Sequence, residues 1–518
     1  MSIYAKLNSN NRMLFNTIIM NIRLIIILIV SLVSSRLLIN VLGIEDFGLF
    51  NLIAGLSVML EFISGTFSAA TMRFTTVSLG SNDPDEFKKN FSISLLIYNR
   101  LSLYLFIPLE IIGVFLINTT LNIPEDRLFA ANILYQLMII NTVFTLLTIP
   151  YTSLLNSKEN FLLPSIISII GLIIRLFIIL FLYYYNYDRL ILYGVVYILI
   201  SVATRKISKD YCIRLYPEIK FDYKKYLDKS VIKKIFSFTG WTFFGGMAMT
   251  VIRQGLDFLV NVFYGLRLNA AMSISKQVNG PIYSFAQTAT QSLSPQIYKA
   301  FGANDQNRLY QLSFLSSKIS FLLFGLMALP ILLETDYILN VWLKHYNVPE
   351  YASVFVQLII IATLTRQLSV GIMTAIAATG DIKKFQFYEG LLIIMAFPIS
   401  WFLLKNGAEP WITYFTLVIA EALATIVRVY YTHKTSNINY KNFLLEVLIP
   451  CVCAFLIAIF ITYFIRIKLE TSFYRLFIIT LLSISIFSVS SFVFVLNQNE
   501  KKKIKSIIQK LKNKFFYE

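Results

Sequence analysis

Residues 79–87 read LGSNDPDEF, and residues 301–309 read FGANDQNRL. The two stretches lie 222 residues apart, and each follows a long run with a small and polar face. The same shift carries Gly43 onto Gly265 and Asp83 onto Asp305. A repeat on this scale means two related halves with a joint between them. The nature of the halves follows from composition.

The chain has 518 residues, is 57% hydrophobic and only 14% charged, and has a mean hydropathy of +0.68. A soluble protein would carry about 25% charged residues. The 44 Phe and 30 Tyr suit a chain with many helix ends at lipid headgroups. This is the composition of an all-α polytopic membrane protein. Runs long enough to cross ~30 Å of hydrocarbon fall at roughly 13–40, 47–77, 91–117, 129–155, 161–185 and 189–204. A basic segment from Arg205 to Lys234 follows, and runs resume at about 235–263, 271–298, 313–333, 351–378, 385–404, 412–431, 443–465 and 474–496. The expectation is therefore about 14 transmembrane helices.

The repeat divides them into a six-helix bundle over 1–204, a basic cytoplasmic linker over 205–234 and a second six-helix bundle over 235–432. Helices 13 and 14 (433–496) and a basic tail (497–518) lie outside it. Equal span numbers with the same starting side make the repeat parallel, about an axis along the membrane normal. The first run, from about Met13 to Asn40, is too long for a cleavable signal peptide and lacks a small-residue cleavage site.

The net charge of +18 could be read as a nucleic-acid footprint, but its placement gives it another meaning. Lys and Arg concentrate at the termini and in the loops on their side, including KKKIK at 501–505. The positive-inside rule then places both termini in the cytoplasm and removes the case for nucleic acid.

Charges inside the runs are the informative positions, since each costs roughly 2.5–3.5 kcal/mol at a bilayer centre on insertion scales. Arg23, Arg253, Lys276 and Arg366 lie within spans 1, 7, 8 and 10. Such cations suit an anionic ligand, because arginine offers planar, bidentate donors to phosphate. Span 8 adds Asn279, Tyr283, Gln287, Gln291 and Ser294 at helical spacing, with Pro281 and Pro295 expected to open its backbone ladder. Span 2 carries Ser57, Glu61, Gly65 and Ser68, and span 5 carries Pro164, Ser168, Gly171 and Arg175. The bland account of the small and polar positions is interhelical hydrogen bonding. Glu61, Asp257, Glu389 and Glu421 are expected to balance cations or to couple transport to an ion. Asp257 stands four residues after Arg253, a spacing at which the two could pair on one helix face.

Nothing points to catalysis. His345 and His433 fall in loops on opposite sides. Cys451 and Cys453 form a C-x-C without further metal ligands, and Cys212 stands alone. No phosphate-binding loop or nucleophile–base pair is apparent, so the chain is read as a non-enzyme without a cofactor.

A resemblance enters with SRLLINVLGIEDFGLFNLIAGLSVMLEFISGTFSAATMRFTT (35–76), IPEDRLFAANILYQ (123–136) and IPYTSLLNSKENF (149–161). These resemble, in order, stretches of bacterial polysaccharide flippases of the O-antigen (Wzx) type. That family lies in the multidrug/oligosaccharidyl-lipid/polysaccharide exporter superfamily. The resemblance implies two six-helix bundles in a V around a central cavity. It also implies an undecaprenyl-diphosphate-linked oligosaccharide, carried across the inner membrane for surface polysaccharide or lipopolysaccharide assembly.

On this reading spans 1, 2, 7 and 8 line the cavity; Arg23, Arg253, Lys276 and Arg366 hold diphosphate; and Tyr283, Gln287 and Gln291 meet sugar. Membrane lipids, a polysaccharide polymerase and other assembly proteins are the expected partners. An ion-coupled drug or metabolite antiporter, a lipid II flippase and, further off, a polytopic polymerase or glycosyltransferase stay open.

Overall fold

A computed structural model describes residues 9–120, 123–217, 226, 228–343, 348–498 and 500–502, and leaves out some side chains, most of them between 9 and 64. The described residues are mostly helical and form no strand, from α1 (Ser9–Leu42), α2 (Ile44–Gly80), α3 (Pro84–Phe115) and α4 (Glu125–Ser157) to α5 (Leu162–Leu182) and α6 (Arg189–Leu215). α7 (Lys229–Tyr264), α8 (Leu266–Gly302), α9 (Gln306–Trp342), α10 (Ala352–Gln367) and α11 (Val370–Thr379) follow. The chain closes with α12 (Lys383–Ile394), α13 (Ala396–Lys405), α14 (Ile412–Ser436), α15 (Tyr440–Phe443), α16 (Ile449–Ile467) and α17 (Phe473–Phe494).

Among the described residues ten helices are long and apolar enough to cross a membrane, or eleven if α10 and α11, bent by 46°, form one span. The chain is therefore a multi-pass membrane protein. The fourteen crossings expected from the runs include those of α1 and α2, which are described only in part. α1 has an apolar stretch over Phe15–Ser31, and α8 is not among the ten. α8 carries its polar stripe along its length, including Lys276, Asn279 and Gln287. It nevertheless stays helical through Pro281 and Pro295. The segment read as a basic linker is partly helix, since α6 continues to Leu215 and α7 starts at Lys229.

The chain forms two compact units, residues 1–243 with 298–305, and residues 244–297 with 306–518. In the first unit α4 packs against α2, α3 and α6, and α1 against α5. Leu38, Ile53, Leu134, Met138, Ile179, Leu182 and Tyr193 make its buried core, with Tyr193 edge-on to Phe50. Arg127 holds the start of α4 to its neighbours. Its Nε donates to Asp46 Oδ1 at 2.7 Å and its Nη1 to Asp188 Oδ2 at 2.9 Å. Asp188 also caps α6 by accepting from the Leu190 and Ile191 amides at 3.0 and 3.1 Å. Thus Asp46 of the IEDFG stretch and Arg127 of PEDRLF meet as a structural clip. Glu159 of NSKENF accepts from Lys299 Nζ at 2.5 Å.

The 222-residue repeat reappears in the backbone. α2 shifted by that amount coincides with α8, and the start of α3 with the start of α9. Gly43 and Gly265, at φ 84° and 78°, make the same break before the second helix. Asn82 and Asn304, both at φ 55°, make the same left-handed step after it. Asp83 accepts from the Asp85 and Glu86 amides at 3.0 and 2.9 Å, capping α3 with Pro84 in the first turn. Within the first unit the repeat is reciprocal: a Cβ on Gly80 would strike the Lys299 carbonyl, and one on Gly302 the Val77 carbonyl. Only glycine permits that approach.

In the second unit α9 is the central post, packed by α10, α11, α16 and α17. Phe321, Phe455 and Phe487 pack edge to face, and Gly325 leaves room for the Phe487 ring. α9 kinks at Glu334 (φ −118°, ψ 27°). That fully buried carboxylate accepts from Arg475 Nη2 at 2.8 Å and Arg466 Nε at 3.3 Å. Lys318 reaches Glu500 at 3.2 Å further along α9. Helices 13 and 14 of the sequence reading are thereby fastened to α9.

Candidate functional site

α7, α8, α10 and α14 of the second unit enclose a cavity of about 280 Å³. α7 contributes Arg253, α8 contributes Lys276, Asn279 and Tyr283, α10 contributes Arg366, and α14 contributes Glu421. Spans 7 and 8 line this cavity together with spans 10 and 12. The helical period brings Lys276, Asn279 and Tyr283 onto one face of α8, three to four residues apart.

Charge is distributed unevenly round this wall. Lys276 Nζ pairs with Asp257 Oδ2, so Asp257 is held by the neighbouring helix and not by Arg253 four residues earlier. The i,i+4 pairing expected within α7 is corrected: an interhelical lysine takes the carboxylate. Asp257 Oδ1 is buried without a hydrogen-bond partner, as is Asn279 Oδ1. Arg366 Nη1 donates to Glu421 Oε1 at 3.0 Å, while Arg428 Nη2 donates to Glu421 Oε2 at 2.8 Å. Arg428, fully buried, also gives its Nε to Glu389 Oε1 at 2.8 Å and its Nη1 to Ser369 Oγ at 3.0 Å. Two guanidinium groups and two carboxylates thus form one balanced chain behind the cavity. It ends on Ser369, at the bend between α10 and α11.

Arg253 is different. Its side chain is exposed, lines the cavity, and makes no hydrogen bond or ion pair among the described residues. It is the wall's uncompensated charge. Free guanidinium donors of this kind are chemically suited to an oxyanion.

The remaining expected residues fall elsewhere. Gln287 is half-buried and Gln291 exposed further along α8, and neither lines the cavity. Arg23 belongs to the other unit, half-buried on α1, with its Nε lacking a hydrogen-bond partner. The Glu61 side chain and His345 lie outside the described residues. His433 sits in the last turn of α14 and not in a loop. Arg428 shares a face of α14 with Glu421 and Thr425, and only the fold brings it to Glu389 and Ser369. Among the described residues no group of three or more His, Cys, Asp or Glu could hold a metal.

No protein-family model and no curated protein matches the chain. Solved structures do match. An outward-facing structure of a multidrug resistance MATE family transporter of the MOP superfamily aligns with a TM-score of 0.69 at 11% identity, covering 83% of this chain and 97% of that one. The Vibrio cholerae MATE transporter VcmN in its bent form aligns with a TM-score of 0.70 at 14% identity, covering 82% and 96%. MATE in the bent conformation gives 0.67 at 12% identity. The class is thus an all-helical, multi-pass membrane protein with a transporter fold, and the particular fold is that of the MATE transporters.

Proposed function

We propose that the protein is a flippase-type transporter that carries an undecaprenyl-diphosphate-linked oligosaccharide across the membrane. The observation that carries this reading is Arg253, unpaired in a cavity whose other cations, Lys276 and Arg366, are already matched by carboxylates. A diphosphate is compact enough for a cavity of about 280 Å³. Arg253 would take one phosphoryl group through two parallel N–H donors. Lys276 and Arg366 would exchange part of their present ion pairing for the second. Sugar and lipid would then lie outside the cavity, and Tyr283, which lines its wall, would meet the first sugar.

Alternating access between the two halves would move the substrate. The setting is a bacterial inner membrane with both termini cytoplasmic, working beside a polysaccharide polymerase and other assembly proteins. Deletion of the gene followed by lipid extraction tests the reading. Accumulation of one undecaprenyl-diphosphate oligosaccharide is expected, and its absence overturns it.

A second reading is favoured by the MATE fold itself: export of a small molecule coupled to an ion. Glu421 lines the cavity, but two arginines already hold it. Efflux of a cationic dye that survives Arg253→Ala and is lost in Glu421→Gln would select this reading over the flippase.

A further inference from the structure

The first unit contains a cavity of its own, of about 460 Å³, lined mainly by α4, α5 and α6. Its size lies within the roughly 300–1,000 Å³ usual for small-molecule sites. Its lining differs in chemistry from the cavity of the second unit. Seven hydroxyl side chains surround a single charged residue, Arg175, and no carboxylate is among them.

Arg175 is near the middle of α5, far along the helix from either end. Its guanidinium lies 4.0 Å over the Tyr197 ring, which fixes the plane of the fork. Its Nε is buried and has no hydrogen-bond partner, and it makes no ion pair among the described residues. A cation held at depth without a counter-ion is costly, and the missing acceptor is what a bound anion supplies.

The hydroxyls define what surrounds that anion. Thr148 and Thr152 donate to carbonyls of their own helix, Phe144 O at 2.7 Å and Ile149 O at 3.0 Å. Their oxygen lone pairs stay available to accept. Ser201 donates to Asn141 Oδ1 at 2.5 Å and is left in the same condition. Ser168 and Thr204 make no hydrogen bond among the described residues, so each can donate or accept. One anion receptor ringed by acceptors matches a ligand with one negative charge and several hydroxyl groups.

We propose that this cavity is a second binding site, for a hydroxylated monoanion of the hexuronate class, with Arg175 on the carboxylate and Thr148, Thr152, Ser168, Ser201 and Thr204 on the hydroxyls. The proposal does not rest on the function assigned to the other cavity. A phospholipid with a glycerol headgroup shares the oxyanion-and-hydroxyl chemistry but brings two acyl chains, which the test separates.

The full-length protein in detergent is titrated with D-glucuronate, D-glucose or inorganic phosphate, and thermal unfolding is followed. Glucuronate at tens of millimolar is expected to raise the midpoint by on the order of 2 °C, with no response to glucose or phosphate. Arg175→Gln is expected to abolish the response, and Arg253→Ala to keep it. Should Arg175→Gln fail to fold, Ser168→Leu, which fills the cavity, is expected to abolish the response while Arg175 remains. An equal response to glucose or to phosphate overturns the proposal. So does a response that survives both Arg175→Gln and Ser168→Leu, or stabilisation by phosphatidylglycerol nanodiscs with none by glucuronate.

Discussion

Two buried glutamates of the second unit are each gripped by two arginines. Glu334 is held by Arg466 and Arg475, and Glu421 by Arg366 and Arg428. Their local chemistry is nearly the same and their surroundings are not. The Glu334 cluster joins the kink of α9 to the ends of α16 and α17. The Glu421 cluster adds a second acid, Glu389, reaches a helix bend through Ser369, and exposes Arg366 to a cavity shared with Arg253. A buried ion pair is thus weak grounds for function by itself. What separates the two is whether a guanidinium keeps free donors on an enclosed space.

The largest expected effect strikes both clusters alike. Arg428→Ala leaves Glu389 and Glu421 buried with less compensation, and Glu334→Ala does the same to Arg475. Removing one partner of a buried pair costs roughly 3–5 kcal/mol, so both variants should unfold at clearly lower temperature. Transport per folded molecule should survive Glu334→Ala and not Arg428→Ala. Equal loss in both would erase the distinction drawn here.

Arg253→Ala comes next and inverts the pattern. The side chain is exposed and unpaired, so the melting temperature should hold while transport falls at least about tenfold, the equivalent of about 1.4 kcal/mol of lost substrate interaction. Full restoration of surface polysaccharide by this variant would sink the diphosphate reading. Asp257→Asn should weaken transport less than Arg253→Ala, because it releases Lys276 without removing a cation. Equal loss would assign Asp257 to ion coupling.

The smallest effect lies at Asp228, just before α7. Lys89 Nζ stands 2.5 Å from Asp228 Oδ2, and hydrogen bonds from Lys89 and Ser230 hold the Asp228 carboxyl well below the usual carboxylate range. A depressed folded-state pKa gives stability that is present above the unfolded value, near 3.9, and is lost as pH falls through the folded one. Asp228→Asn should therefore lower the melting temperature slightly at neutral pH, and the difference from wild type should shrink toward pH 2. A difference that grows on acidification would contradict the pairing.

Much of the fold is legible along the chain. Hydropathy marks the helices, and the pair LGSNDPDEF and FGANDQNRL fixes an offset that the helix bounds, Gly43 with Gly265, and Asn82 with Asn304 all obey. Turn chemistry is local: glycine and asparagine take left-handed backbone, and Asp83 caps from two residues away. The site was legible in part for the same reason. A period of 3.6 puts Lys276, Asn279 and Tyr283 on one face, and the sequence alone names Arg253 and Arg366 as deep cations.

The sequence by itself therefore determined the membrane class, the 222-residue repeat and several of the charges within the helices. Tertiary structure alone decided which charges cancel. Pairing in a helical membrane protein runs between helices: Asp257 turns to Lys276 on α8, and Arg428 spans Glu389 on α12 and Ser369 at the α10–α11 bend. Helix spacing sets those distances, and no period along one helix encodes them. In VIRQGLDFLV at 251–260 the aspartate answers a different helix, and Arg253 is left without an ion pair among the described residues.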